Sequence, residues 1–268
     1  MLSYSGAVVR GIASSLPANA LRMSDPGEKL DLDKANQEHR AYVAALQNTL
    51  GAENVHVLDA DDKYPDCVFV EDPVVVCNGV ALMTRPGHTS RRGEGDAFLP
   101  LFERLGIKTV VMEEPACMDG GDVLFTGSEF FVGLSKRTNQ AGIDVLAATF
   151  PSHPVHAVPV EAGLHLKSMM SMAAPGTIAI GCSGAAQSAK QLVSAKATSS
   201  YTFLEFADDL AANVVHVNGK ILHVPAASFE RSRAALAELG KLGETVQLCN
   251  EELNKVDGAL TCCSVLLA

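Results

Sequence analysis

The stretch Val74-Val75-Val76-Cys77-Asn78-Gly79-Val80-Ala81-Leu82-Met83-Thr84 decides how the chain is organised. Two apolar runs flank an Asn-Gly pair. Asn-Gly supplies the positive-φ residues of the tight turn that joins antiparallel strands. A helical pattern follows over 93–106 and stops at Gly106, and another apolar run, Lys108–Met112, comes after it. The unit is two or three strands plus one helix. The same grammar recurs outward from it. Asn218-Gly219 is a second hairpin signal, between Val214–Val217 and Ile221–Val224, ahead of a helix over 229–240 and the run Thr245–Leu248. Over 31–50 the residues Leu32, Ala35, His39, Tyr42, Val43, Leu46 and Leu50 share one helical face, and Gly51 caps the end. Further helices read at 139–150 and 186–197, and further strands at Ala7–Ile12, Val55–Leu58, Phe130–Leu134, Thr177–Gly181 and Val265–Leu267. Five helices at intervals of roughly 40–60 residues imply a radial or stacked architecture. Leu16–Gly27, rich in Ser, Pro, Asn and Asp, reads as a mobile lid.

Composition narrows the function. The chain has 268 residues, 47% hydrophobic and 19% charged, which suits a single globular domain spanning 1–268. Net charge is −10, and the pI is about 5.2. Such an acidic surface argues against nucleic acid as a partner and suits cationic ligands. No apolar run reaches the roughly 18 residues a membrane helix needs. Met1–Gly6 lacks the basic region and long apolar core of a secretory signal. The cysteines are seven, an odd number, with no CxxC spacing, which speaks against a disulfide framework and a structural zinc site. A reducing, cytoplasmic setting is expected, with most thiols acting as small buried hydrophobes.

Several clusters carry chemistry-bearing side chains. Asp66-Cys67-Val68-Phe69-Val70-Glu71-Asp72 sets three carboxylates around an apolar centre. If Cys67–Val70 is a strand, Asp66 and Asp72 share a face. The cluster is then either a solvated strand end or a pocket for a planar cation, for which guanidinium has the matching fork of donors. Arg85, Arg91 and Arg92 lie on a strand-to-helix loop that is either solvated or grips a carboxylate. In Asp119-Gly120-Gly121-Asp122 two acids flank glycines that permit a sharp turn, and no phosphate-loop lysine follows. His165, between Leu164 and Leu166, is a packed core histidine unless a thiol and an orienting acid lie beside it. The chain ends Val256-Asp257-Gly258-Ala259-Leu260-Thr261-Cys262-Cys263-Ser264-Val265-Leu266, where apolar residues around two thiols suggest a terminal strand and Cys262 a nucleophile. Carboxylates, arginines, a histidine and a thiol together suit a ligand with both a guanidinium and a carboxylate, an arginine-like amino acid.

Over essentially its whole length the chain resembles the dimethylarginine dimethylaminohydrolases of the guanidine-modifying (pentein) superfamily. The runs Asp66–Pro73, Met83–Gly87, Ser90–Arg92, Asp119–Gly127, Phe130–Asn139, Leu164–Ser168 and Lys255–Leu266 carry the likeness, and Gly133–Asn139 and Thr261–Leu266 look closer to the animal enzymes. The resemblance implies an α/β fold, a five-bladed pseudo-symmetric propeller of ββαβ repeats. It implies Cys262 as nucleophile, His165 as general acid/base and Asp119 as the group orienting it. Asp66, Glu71 and Asp72 would surround the guanidinium, and Arg91 and Arg137 would take the substrate carboxylate. Leu21 would sit on the lid, with Val256 and Asp257 lining the pocket. The implied reaction is hydrolysis of Nω-methylated L-arginines to L-citrulline and dimethylamine or methylamine through a thiouronium on Cys262, relieving inhibition of nitric oxide synthase. No cofactor is implied; zinc enters only as an inhibitor, on Cys262 and His165. The expected partner is the small-molecule substrate, with no nucleic acid or membrane, and the chain a monomer or weak homodimer. The alternatives are another guanidine chemistry, such as arginine deiminase or amidinotransferase activity, and a non-catalytic regulator that binds arginine analogues.

Overall fold

The strand–strand–helix–strand unit occurs five times in the protein's computed structural model, which describes residues 3–24 and 27–268. Residues 1–2 of the N-terminal reading and 25–26 of the lid reading lie outside the described residues. The first unit has β1 (Gly6–Arg10), a single helical turn α1 (Leu16–Asn19), the long α2 (Leu32–Leu50) and β2 (Val55–Leu58). The second has β3 (Val74–Cys77), β4 (Val80–Met83), α3 (Leu99–Leu105) and β5 (Lys108–Val111). The third has β6 (Val123–Phe125), β7 (Phe130–Leu134), α4 (Gln140–Thr149) and β8 (Val155–Pro159). The fourth has β9 (Met170–Ala174), β10 (Thr177–Gly181), α5 (Gly184–Lys196) and β11 (Thr202–Phe206). The fifth has β12 (Val215–Val217), β13 (Lys220–His223), α6 (Arg233–Glu238) and β14 (Glu244–Gln247), and α7 (Glu251–Asn254) and β15 (Val265–Leu267) end the chain.

In each three-stranded sheet the middle strand is antiparallel to one neighbour and parallel to the other. The helix makes the parallel crossover, as a parallel pair requires. The first sheet takes its antiparallel strand from the far end of the chain: β15 pairs with β1, Gly6 opposite Leu267 and Val8 opposite Val265. The C-terminus therefore closes the ring, the five-bladed α/β propeller expected from the sequence. β15 packs on β3, β6 on β9 and β9 on β12, so these strands face the centre around a cavity of about 310 Å³. Both Asn-Gly turns form as read, with φ of 50° and 71° at Asn78 and Gly79 and 47° and 86° at Asn218 and Gly219. Asp31 caps α2 by accepting from Asp33 N and Lys34 N, and Asn139 caps α4 through Gly142 N.

The differences from the sequence reading have local causes. β9 escapes notice because it is Met-Ser-Met-Ala-Ala, weak in β propensity. β8 and β11 are half-exposed outer strands without a continuous apolar run. Leu16–Asn19 of the expected lid is helical, with Pro17 in the first turn. Cys67–Val70 is not a strand. It is a succession of turns, with Cys67 N bonded to Tyr64 O and Phe69 N to Asp66 O. All four residues are buried, which a strand exposing alternate side chains would not allow. Cys262 likewise precedes the terminal strand, in a 3₁₀ turn over Thr261–Cys263.

Candidate functional site

The turns at 66–72 curl their carboxylates inward instead of spreading them along a strand, and a buried arginine holds them there. Arg91 Nε and Nη2 bond Glu94, Nη1 bonds Asp72, and Nη2 also meets the carbonyls of Asp66 and Phe69 at 3.3 and 3.0 Å. These bonds leave one of its five N–H groups. The expectation that Arg91 grips a substrate carboxylate therefore meets a side chain already engaged in building the acidic turn. Asp72 also accepts from Gly121 N at 2.9 Å through its second oxygen. Burial alone would raise the Asp72 pKa, but the charges of His165 and Arg91 hold it well below the usual carboxylate range. Burial raises Asp66, with Arg91 opposing.

His165 is buried, and its environment is anionic. Its Nε2 lies 3.0 Å from Asp119 Oδ2, while Asp119 Oδ1 accepts from Gly87 N at 2.8 Å. Arg137 stands 3.6 Å from the same Asp119. Burial alone would lower the imidazole pKa, yet Asp72, the Asp119 bond and Asp122 outweigh it and raise it to about 9. The Gly-Gly pair between the acids serves close approach, not a left-handed turn, since neither glycine has positive φ. A Cβ on Gly120 would lie 2.0 Å from Glu71 O, and one on Gly121 2.5 Å from His165 Nδ1.

Cys262 is partly buried beside the acids. Its carbonyl accepts from Glu71 N at 3.2 Å, which ties the thiol turn to the acidic turn. Burial, then Glu71 and Asp72, push its pKa up to about 12. The free protein thus holds a neutral thiol and a protonated imidazole near pH 7. Cys263 is buried, and its Sγ lies 3.6 Å from Ala259 O. Glu71 is itself paired: Lys167 Nζ bonds one oxygen and Thr261 Oγ1 the other, at 3.0 Å.

One small enclosed pocket of about 50 Å³ is lined by Leu21, Asp66, Glu71, Asp72, Arg91, Arg137, His165, Val256, Asp257 and Cys262. Asp119 lies behind His165. Leu21, in the segment expected to form a lid, donates its N–H to both Asp66 oxygens, at 3.2 and 3.3 Å, and Met23 N donates to Asp257 at 2.5 Å. Lys167, Asn213, Leu164 and Leu210 also line this space and were not assigned from sequence. Lys167 stood in the His165 motif and could have been found there, whereas nothing in the sequence around Asn213 marks it. Asp122, beside the Gly-Gly pair, accepts from Leu166 N at 2.9 Å and so fixes the segment after the histidine. The donor atoms of Asp72, Asp119 and His165 lie within 4.8 Å of one another, a cluster that could hold a cation and that does not include the Cys262 thiol.

The family model for eukaryotic N,N-dimethylarginine dimethylhydrolases matches residues 15–263. The putative hydrolase DDAH2 of Bos taurus is 34% identical over 270 residues, covering 98% of this chain and 94% of that protein. The N(G),N(G)-dimethylarginine dimethylaminohydrolase of Streptomyces coelicolor is 40% identical over 243 residues, 90% of this chain and 88% of that one. Among solved structures, a Cys-to-Ser variant of the Pseudomonas aeruginosa enzyme, complexed with citrulline, superposes with a TM-score of 0.85 at 28% identity, covering 99% of this chain and 100% of that one.

Proposed function

The chain belongs to the dimethylarginine dimethylaminohydrolase family, and on that premise we propose that it hydrolyses Nω-methylated L-arginines to L-citrulline and methylamine or dimethylamine. The observation that carries the reading is the convergence of one thiol, an Asp-paired imidazole and three carboxylates on one enclosed pocket.

The electrostatics suit this chemistry. Burial raises Cys262 to about 12 with help from Glu71 and Asp72; these same anions attract a guanidinium, and the bound cation offsets their part of the shift, so substrate binding promotes the thiolate. The thiolate attacks the guanidinium carbon. His165, protonated near neutral pH, gives its proton to the departing amine as the carbon–nitrogen bond breaks. A thiouronium remains on Cys262. The now neutral imidazole takes a proton from water, whose oxygen bonds the same carbon, and the carbon–sulfur bond breaks to release citrulline. Every proton is carried by the chain's own groups or by solvent, so the scheme needs no cofactor. Asp119 keeps the imidazole oriented and stabilises its charged form. Asp66, Glu71 and Asp72 receive the guanidinium, while Arg137, less engaged than Arg91, takes the carboxylate, with Arg91 offering its remaining N–H. Leu21, Val256 and Asp257 close around the aliphatic part.

Zinc is proposed as an inhibitor through Cys262 and His165. Both must lose a proton to ligate it, so inhibition should strengthen as pH rises. A cytoplasmic setting rests on the seven free cysteines. There the reaction would lift methylarginine inhibition of nitric oxide synthase. The protein is proposed to act as a monomer or weak homodimer. The deciding experiment is citrulline release by the purified protein from asymmetric dimethylarginine, monomethylarginine and arginine. Turnover of arginine alone would replace this reading with a deiminase, and no turnover of any of them would leave a binding protein.

A further inference from the structure

We infer that Asn213 is a positioning residue that locks the turn bearing the nucleophile to the turn bearing the imidazole, an inference that rests on the proposed hydrolase chemistry. Asn213 follows a 3₁₀ turn over Asp209–Ala212 and is 2% exposed. Its amide makes three hydrogen bonds. Nδ2 donates to Lys167 O at 2.9 Å and to Thr261 Oγ1 at 3.1 Å, and Oδ1 accepts from Thr261 N at 3.0 Å. Thr261 directly precedes Cys262 and starts its 3₁₀ turn, where the first N–H groups have no partner inside the turn. Lys167 lies in the turn Leu166–Ser168 that directly follows His165. One side chain therefore ties the residue before Cys262 to the turn that follows His165.

The amide is also part of a ring. Thr261 Oγ1 donates to one Glu71 oxygen and Lys167 Nζ to the other. Asn213 joins Thr261 to Lys167 on the other side, so the nucleophile turn, the imidazole turn and one substrate-facing acid form a closed hydrogen-bonded circuit. Asn213 is itself anchored on both sides, because Ser171 Oγ on β9 donates to Ala212 O at 2.7 Å and accepts from Val214 N at 2.9 Å. Asparagine suits the position because it presents an acceptor and two donors from one short planar group. Thiol and imidazole come from distant parts of the sequence, and their alignment must hold to a fraction of an ångström for transfer within the bound complex.

The test uses the full-length protein with Asn213→Ala, Asn213→Ser and Thr261→Ala. Glu129→Gln serves as a control, altering a buried carboxylate that bonds His156, Thr198, Ser199 and Tyr201, remote from both turns. Two readouts are taken: kcat and KM for asymmetric dimethylarginine, and the rates at which Cys262 is modified by 2-chloroacetamidine and by iodoacetamide. The amidinium reagent must dock on the carboxylates before the thiol reaches it, whereas iodoacetamide reports only access and thiolate content. The expected result for Asn213→Ala is a fall in kcat of tenfold or more with KM within threefold. Modification by the amidinium reagent should slow by a similar factor, and iodoacetamide should react within threefold of the wild-type rate. Asn213→Ser and Thr261→Ala, which keep part of the ring, should lie between and remain informative if the alanine variant at 213 does not fold. A kcat loss no larger than that of Glu129→Gln, or equal slowing by both reagents, would overturn the assignment. Absence of citrulline release by the wild type would instead defeat the hydrolase reading, while the reagent comparison would still report on how Cys262 is placed.

Discussion

Gly121→Ala tests the site geometry most sharply. Gly121 joins the acidic and imidazole halves of the site: its N–H bonds Asp72, and its Cα lies against the His165 ring. An added methyl would sit 2.5 Å from Nδ1 and 2.8 Å from Cγ of His165, and 2.9 Å from Asp72 Oδ1. Carbon pairs find their minimum near 3.5–4.0 Å, so relief requires about 1 Å of movement by the imidazole, the carboxylate or the turn. No part of the site can give without loss. Moving the ring lengthens the 3.0 Å bond to Asp119, and moving the turn lengthens the 2.9 Å bond to Asp72. A displacement of about 1 Å costs roughly 100-fold in rate, equivalent to about 2.7 kcal/mol of barrier. Overpacking should also lower stability by about 1–3 kcal/mol. The assay is kcat/KM for citrulline release at a temperature where urea titration shows the variant folded, beside Gly184→Ala, whose methyl meets nothing within 4 Å. A Gly121→Ala enzyme within threefold of wild type, while Gly184→Ala is also normal, would refute the claim that this contact sets the imidazole.

Cys262→Ser should abolish citrulline release with the unfolding midpoint unchanged, whereas Cys263→Ser, at a packed neighbour, should keep turnover; equal losses measured in the same assay would reassign the nucleophile. In the free enzyme, Cys262 alkylation by iodoacetamide should rise about tenfold per pH unit toward its pKa of about 12, and a plateau near pH 8 would contradict the effect of burial and of the neighbouring acids. Stability should depend on pH in a window set by His165, whose folded pKa of about 9 lies above its ordinary value of 6.5. Its contribution, on the order of 3 kcal/mol at most, is complete below pH 6.5 and lost as pH rises through about 9. Urea titrations across that range should show the decline in wild type and not in His165→Gln. Phe130→Ala should cost about 3–5 kcal/mol in the same titrations, because Phe130 is fully buried and its ring stacks on Phe125 and Phe150 at 4.4 and 5.4 Å.

Elements whose signals are local could be read from residue order. Asn-Gly turns demand positive φ, and an amphipathic stripe such as that of α2 demands a core beneath it, so a five-fold repeat of two or three strands and a helix was legible. So were the types of reacting group, since the acids, His165 and Cys262 stand in recognisable runs. Tertiary structure alone decided the rest. β9 is a strand because β10 pairs with it, not because of its own Met-Ala composition. The ring closes because β15 pairs with β1 across the whole chain length. Asp66 and Asp72 converge because the segment between them is a buried series of turns gathered around Arg91, and that same gathering leaves Arg91 little freedom to meet a substrate. The protonated state of His165 follows from which carboxylates surround it, and the neutral thiol of Cys262 from burial reinforced by Glu71 and Asp72. Those distances are fixed by packing among segments far apart in the chain, and pairwise electrostatics depends on distance and burial, which residue order does not contain.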